Sequence, residues 1–194
     1  MVLDITSDTG NGILQRLIAE ADVLLTNFRP YELRKFNLEY ETLSKSNPGL
    51  IQANLTAWGK NGPHSNLPGY DFNAFWTRSG LMHVLLTPDM EPFSTPVGWG
   101  DRITATVLAY GITAALLVRE RTGQGQEIDT SLLQSSIFMN ANDIGGTLVT
   151  GKDRQNVERH EIANALLNSY KTRDNRWLRI AINKPVRDWD KFSG

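Results

Sequence analysis

Residues 21–55, ADVLLTNFRPYELRKFNLEYETLSKSNPGLIQANL, decide the fold class. Val23-Leu-Leu25 is a short apolar run of strand type, closed by Asn27-Phe-Arg-Pro30. A short amphipathic helix ends at Leu43, with Asn47-Pro-Gly49 as its stop signal. Leu50-Ile-Gln-Ala-Asn-Leu55 reads as the next strand. Strand, helix and strand in alternation predict a parallel sheet covered by helices. Working outward, Val2-Leu-Asp-Ile5 is a further strand candidate, and Ile13, Leu14, Leu17 and Ile18 recur at helical spacing.

Downstream, Trp58 to Pro68 reads as a loop broken by Gly59, Gly62, Pro63 and Pro68. Tyr70 to Leu85 is apolar and helix-like, and Thr87 to Gly100 is a proline-bearing loop. Ile103 to Arg119 predicts a long helix with Gly123 as its C-cap and Arg119 and Arg121 at the negative end of its dipole. A short strand at Gln126 to Asp129 and a second long helix, from about Ser131 to Leu148, follow. Residues 151–165 are polar and read as a linker. Beyond them, Ser169-Tyr-Lys-Thr172 and Trp177 to Ile182 flank Asp174-Asn175 as a hairpin, and Pro185 is placed to begin a helix. The expected architecture is α/β. A Rossmann-like three-layer body with a parallel sheet fills residues 1–150, and a smaller α/β domain begins at 166–194.

Composition narrows the function. The chain has 194 residues, 40% of them hydrophobic, with 20 basic and 21 acidic side chains and a net charge of -1. That balance gives no electrostatic reason to expect nucleic acid or a membrane surface as partner. With no cysteine, disulfides, thiolate nucleophiles and thiolate metal sites are excluded. His64, His83 and His160 have no metal-ligand spacing, so no metal is expected. Met1 to Asp4 does not open a signal peptide, and no apolar run approaches the ~20 residues of a membrane span. Cytoplasmic placement is the expectation.

Val2 to Gly12 has the setting of a nucleotide or S-adenosylmethionine loop: a strand candidate, a glycine turn and a helix start. Its glycines do not match. Thr6 and Asp8 stand where a methyltransferase loop has glycines, Gln15 stands where the dinucleotide pattern has its third, and Asp8 repels phosphate. A methyltransferase is thus a lesser alternative. The local reading is an N-cap by Ser7, Asp8 or Thr9.

A series of short segments carries more. In order they are Ala21–Pro30 (ADVLLTNFRP), Asn47–Ile51 (NPGLI), Gly59-x-x-Gly-Pro63, Pro68–Asp71 (PGYD), Ser79–Met82 (SGLM), Gly100-Asp101, Arg119–Gln126 (RERTGQGQ), Asp129–Leu133 (DTSLL) and Tyr170–Trp177 (YKTRDNRW). Their order and spacing closely resemble the family III CoA-transferases, the group with the carnitine and formyl CoA-transferases and the alpha-methylacyl-CoA racemases. The resemblance covers nearly the whole chain. Family members are considerably longer, so it implies an interior segment, truncated at both ends. It further implies coenzyme A as substrate rather than as a permanent cofactor, acyl-CoA chemistry, and an interlocked homodimer.

The resemblance places Asn27 and Phe28 along the CoA site, where an amide and a ring suit CoA's polar chain and adenine; by their charge, Arg29, Arg34 and Lys35 are candidate partners of its phosphates. Phe28 can equally be a core ring. Tyr70 and Asp71 match the segment lining the reaction centre. The racemases have a histidine at Tyr70, and a phenol with pKa near ~10 is a poor shuttle for an alpha proton. Asp101 matches the racemases' second acid/base position; its local reading is an N-cap. Gln134 aligns with the transferases' catalytic aspartate, whose carboxylate attacks the thioester. A carboxamide cannot do so. Locally, Ser131-Leu-Leu-Gln134 is a capping box, and Asp129 and Asp143 are the nearest carboxylates. The leading expectation is CoA transfer between carboxylic acids. The alternative is a non-catalytic, dimer-forming or CoA-binding remnant of the fold.

Overall fold

The computed structural model describes residues 2–194 except 89, 185, 188 and 191–193. β1 (Val23–Thr26), β2 (Ile51–Thr56) and β3 (Gln126–Ser131) form a parallel sheet in the order β1-β2-β3. Val23 pairs with Ile51, and Ile51 with Gln126. Side chains alternate between the two faces of such a sheet. One face carries Leu24, Gln52, Asn54, Glu127 and Asp129; the other carries Leu25, Ile51, Ala53 and Ile128.

Helices cover both faces. α1 (Asp8–Ala19), α2 (Pro30–Lys35) and α3 (Tyr40–Ser46) lie against the first. Ile18, Leu33, Leu38, Leu43 and Leu50 are buried together, with Leu24 and Phe28 packed on them. Each full burial contributes about 2 kcal/mol before chain entropy is set against it. A short α4 (Leu81–Val84) precedes α5 (Trp99–Thr122), which crosses the second face over β2 and β3. Arg119 anchors its C-terminal end, pairing with Asp22 at 3.0 Å and donating to the Gly49 carbonyl at 3.1 Å. Gly123 ends it with φ +71°, as read from the sequence. α6 (Leu132–Met139) and α7 (Ala141–Thr150) follow β3. β4 (Leu167–Lys171) and β5 (Trp177–Ala181) form the expected antiparallel hairpin, with Asn175 at φ 62° in its turn.

The first face of the sheet also holds a row of polar side chains. Gln52 Nε2 donates to the Leu38 carbonyl at 2.9 Å and to Asn54 Oδ1 at 3.3 Å. Asn54 Nδ2 donates to Glu127 and Asp129, each at 3.0 Å, and Lys60 pairs with Glu127.

Several expectations are corrected. Val2 to Ile5 is not a strand. Asp4 Oδ1 accepts from the Thr6 N–H at 3.0 Å and its hydroxyl at 2.6 Å, which turns the backbone before it can extend. Ser7 caps α1 by accepting from the Gly10 N–H at 3.1 Å. A Cβ on Gly10 would stand 1.8 Å from the Asp4 carbonyl oxygen, so this close approach, without any cofactor, accounts for that glycine. Pro30 to Lys35 is a helix where only a closing turn was read; Pro30 takes the first helical position.

The helix-like stretch from Tyr70 is a π-helical segment, Asp71–Thr77, separated from α4 by Gly80 at φ +74°. The long helix read from Ser131 breaks at Asn140, whose Nδ2 reaches back to the Ser79 carbonyl at 2.9 Å. α5 is, among the described residues, the one helix long and apolar enough to cross a membrane. No such run was expected; here the helix lies on the sheet. The helix start read at Pro185 falls outside the described residues.

Candidate functional site

A cleft of about 1120 Å³ opens where β1 and β2 end. Ligands of open α/β sheets bind beyond the carboxyl ends of parallel strands. Leu24, Leu38, Leu55 and Leu132 line it with apolar surface, and Asn27, Phe28, Arg29, Tyr70, Asp71 and Asp101 also line it. Thr26 shapes the strand exit by accepting from the Phe28 N–H at 3.0 Å. The Phe28 ring packs on Phe36, with centroids 5.7 Å apart, so it serves the core and the cleft together.

Arg29 is already partnered. Its guanidinium pairs with Glu32 at 3.0 Å and donates to the Tyr31 hydroxyl at 2.7 Å. The Arg29 side chain, helped by its own N–H, holds the Glu32 carboxyl down at about 2.

Asp71 is buried although it is a carboxylate. Its Oδ1 accepts from the Gly100 N–H at 3.0 Å, and the neighbouring N–H groups of Gly98 and Trp99 also favour its charged form. α5 starts after Gly98, which has no side chain to cap it. Asp71 therefore caps the helix from 29 residues away. Burial, and next the Asp101 charge, push its carboxyl above the usual range against the pull of those N–H groups. Asp101 stands in the first turn of α5 and is exposed. It is not the N-cap suggested by its local reading; Gly98 is. Tyr70 is 68% exposed and stacks on Phe72, with centroids 6.0 Å apart. A second cavity of about 480 Å³ shares Tyr70, Asp71 and Asp101 with the cleft.

The match to CoA-transferase family III extends over residues 1–193. This chain belongs to that family. It is 32% identical to the cinnamoyl-CoA:phenyllactate CoA-transferase of Clostridium sporogenes, over 99% of this chain and 47% of the relative. It is 31% identical to the (R)-2-hydroxy-4-methylpentanoate CoA-transferase of Clostridioides difficile, over 93% of this chain and 45% of that one. Among solved structures, a CaiB/BaiF family protein from Brucella suis superposes with a TM-score of 0.79 at 33% identity, covering 92% of this chain and 47% of the other. The chain thus spans about half the length of the relatives it matches.

Within this family III chain, the structure brings Asn27, Phe28, Arg29, Tyr70, Asp71 and Asp101 to one cleft. It does not bring Lys35 or Gln134 there. Lys35 lies over the Phe36 ring at 5.2 Å, outside the cleft lining. Gln134 is exposed in the first turn of α6, where its N–H donates to Ser131 Oγ at 3.1 Å and its Oε1 accepts from that hydroxyl at 3.3 Å. The capping box is therefore half formed: Gln134 turns to the Ser131 hydroxyl rather than to its backbone N–H. Asp129 is held by Asn54, and Asp143 pairs with Arg154 at 2.8 Å; neither lines the cleft. Sequence reading missed Glu32 as the partner of Arg29, although Pro30 with Glu32 two residues on marks a helix start. It singled out Gly100 with Asp101 but missed that the Gly100 N–H meets Asp71.

Proposed function

We propose that this chain is the acyl-CoA-binding segment of a family III CoA-transferase, with the carboxylate needed for covalent transfer missing at Gln134. The observation that carries this reading is the gathering of Asn27, Phe28, Tyr70, Asp71 and Asp101 at the carboxyl ends of β1 and β2. CoA's chain and adenine lie along Asn27 and Phe28, and the thioester reaches Tyr70 and Asp101. Asp71 keeps its proton to higher pH than an ordinary carboxyl, but its oxygen is committed to the start of α5, so its role is to fix that helix beside the thioester. The relatives' activities on acyl-CoA thioesters support the substrate class.

The cleft offers CoA's phosphates little charge. Arg29 is the one cation in its described lining, against Glu32, Asp71 and Asp101. The expected affinity for CoA is therefore millimolar, roughly 4 kcal/mol of binding free energy. Titration calorimetry with CoA checks this, and submicromolar binding would require a differently built site.

A homodimer is part of the same reading. Tyr110 and Leu117 on α5, Phe138 on α6 and Leu148 and Val149 on α7 are exposed apolar side chains, and such surface drives association. Light scattering at micromolar concentration is expected to give at least twice the chain mass; a monomer mass would refute it. Cytoplasmic placement and a division into a large body before residue 151 and a second unit from 166 belong to this proposal too.

A further inference from the structure

The 480 Å³ cavity beside the cleft has a different chemistry from the cleft itself. Phe72, Met82, Phe93 and Val97 supply apolar walls. Its charged lining consists of Asp71 and Asp101 alone, with no Lys, Arg or His among its described residues. Tyr70, Asp71 and Asp101 border both spaces, so a thioester at these residues can send its two ends in different directions. Val97 is 90% exposed and Phe72 58% exposed, which leaves apolar surface for a ligand to cover.

We infer that this cavity receives the acyl group, and that it selects an uncharged, apolar acyl group over one that carries a second carboxylate. The inference rests on the acyl-CoA reading of the neighbouring cleft. Apolar acyl surface gains by leaving water for these walls. A terminal carboxylate enters a space with no cation to pair with and two carboxylates to repel it. The repulsion is already felt within the protein, since Asp101 is among the causes that keep Asp71 protonated to higher pH. The volume lies in the range of small-ligand sites and admits a phenylpropanoyl group.

The test compares 3-phenylpropanoyl-CoA, succinyl-CoA and free CoA by calorimetry on the 194-residue chain. A second arm uses the corresponding N-acetylcysteamine thioesters, which lack the nucleotide, read by NMR of the Met82 methyl group, assigned with Met82→Leu. The expected results are phenylpropanoyl-CoA binding about tenfold more tightly than CoA, succinyl-CoA binding no more tightly than CoA, and a Met82 shift only with the phenylpropanoyl probe. Val97→Arg, at an exposed position, is expected to erase the phenylpropanoyl advantage and improve succinyl-CoA. Equal affinities for the two thioesters, or a silent Met82 with the phenylpropanoyl probe, would overturn the inference while a bound CoA leaves the cleft reading standing. If CoA does not bind but the short phenylpropanoyl thioester moves Met82, the cleft reading fails and the cavity assignment survives.

Discussion

Incubated with acetyl-CoA and either oxalate or succinate, the chain is expected to keep its unmodified mass and to exchange no CoA. Covalent transfer requires a carboxylate oxygen about 3–3.5 Å from the thioester carbon. Gln134, which the family resemblance sets at the nucleophile's position, is a carboxamide whose lone pair is delocalised, and it is held on Ser131 Oγ at the start of α6. The nearby carboxylates are occupied, Asp129 by Asn54 and Asp143 by Arg154. Gln134→Asp is expected to fold with a stability change within about 0.5 kcal/mol, because a carboxylate suits the first turn of a helix and keeps the Ser131 hydroxyl as donor. It is not expected to start turnover by itself, since position 134 stands outside the cleft lining. Intact-protein mass spectrometry, with hydroxylamine trapping, reads all of these outcomes. An adduct on Asp129 or Asp143, or exchange at an enzymatic rate, would show that another carboxylate has taken the role.

The largest stability effect is expected at Gly100. A Cβ there would stand 2.2 Å from Asp71 Oδ1 and 2.3 Å from Phe75 Cγ. Both neighbours are buried, and Phe75 belongs to the second core cluster with Ala74, Trp76 and Leu132. Neither can swing away as a surface side chain does. Gly100→Ala must therefore push Asp71 off the start of α5, losing its cap and leaving a buried carboxylate with weaker partners. The expected cost is on the order of 3 kcal/mol, read as a lower midpoint in urea. Gly12→Ala is the control. Nothing lies within 4 Å of a Cβ there, and the position is inside α1. That substitution is expected to stabilise by about 0.5–1 kcal/mol. Equal effects of the two would remove the case for a steric lock at Gly100.

Much of the fold was legible because its signals are local. The apolar runs of β1 and β2, the glycine after α5 and the Asp174-Asn175 turn each carry their instruction within a few residues. The unread features depend on distant partners. The π-helical segment at Asp71 exists beside a helix start 29 residues away that its carboxylate caps. The break at Asn140 depends on the Ser79 carbonyl, 61 residues earlier. Val2 to Ile5 has the composition of a strand, and the Asp4 side chain bends it. The cleft residues followed from the family resemblance, and geometry brings most of them together. Lys35 stands outside the cleft lining because its position on α2 carries it over Phe36, which composition does not reveal. The second cavity left no sequence signal at all, since Phe72, Met82, Phe93 and Val97 are scattered over two helical segments, a loop and a turn.

The polar row on the sheet has a consequence for assembly of the strands. β2 and β3 must find each other across a separation of 73 to 75 residues, judged by the Asn54 contacts with Glu127 and Asp129. Apolar pairs alone would discriminate poorly between neighbouring alignments. A slip by one residue would turn Glu127 and Asp129 towards the face covered by α5 and strand Asn54 opposite apolar neighbours, because side chains alternate with period two. Each misplaced group would then lack a partner in a dry interior. Gln52, Asn54, Glu127, Asp129 and Lys60 thus act as a proofreading device for strand alignment, rejecting wrong pairings more than strengthening the right one.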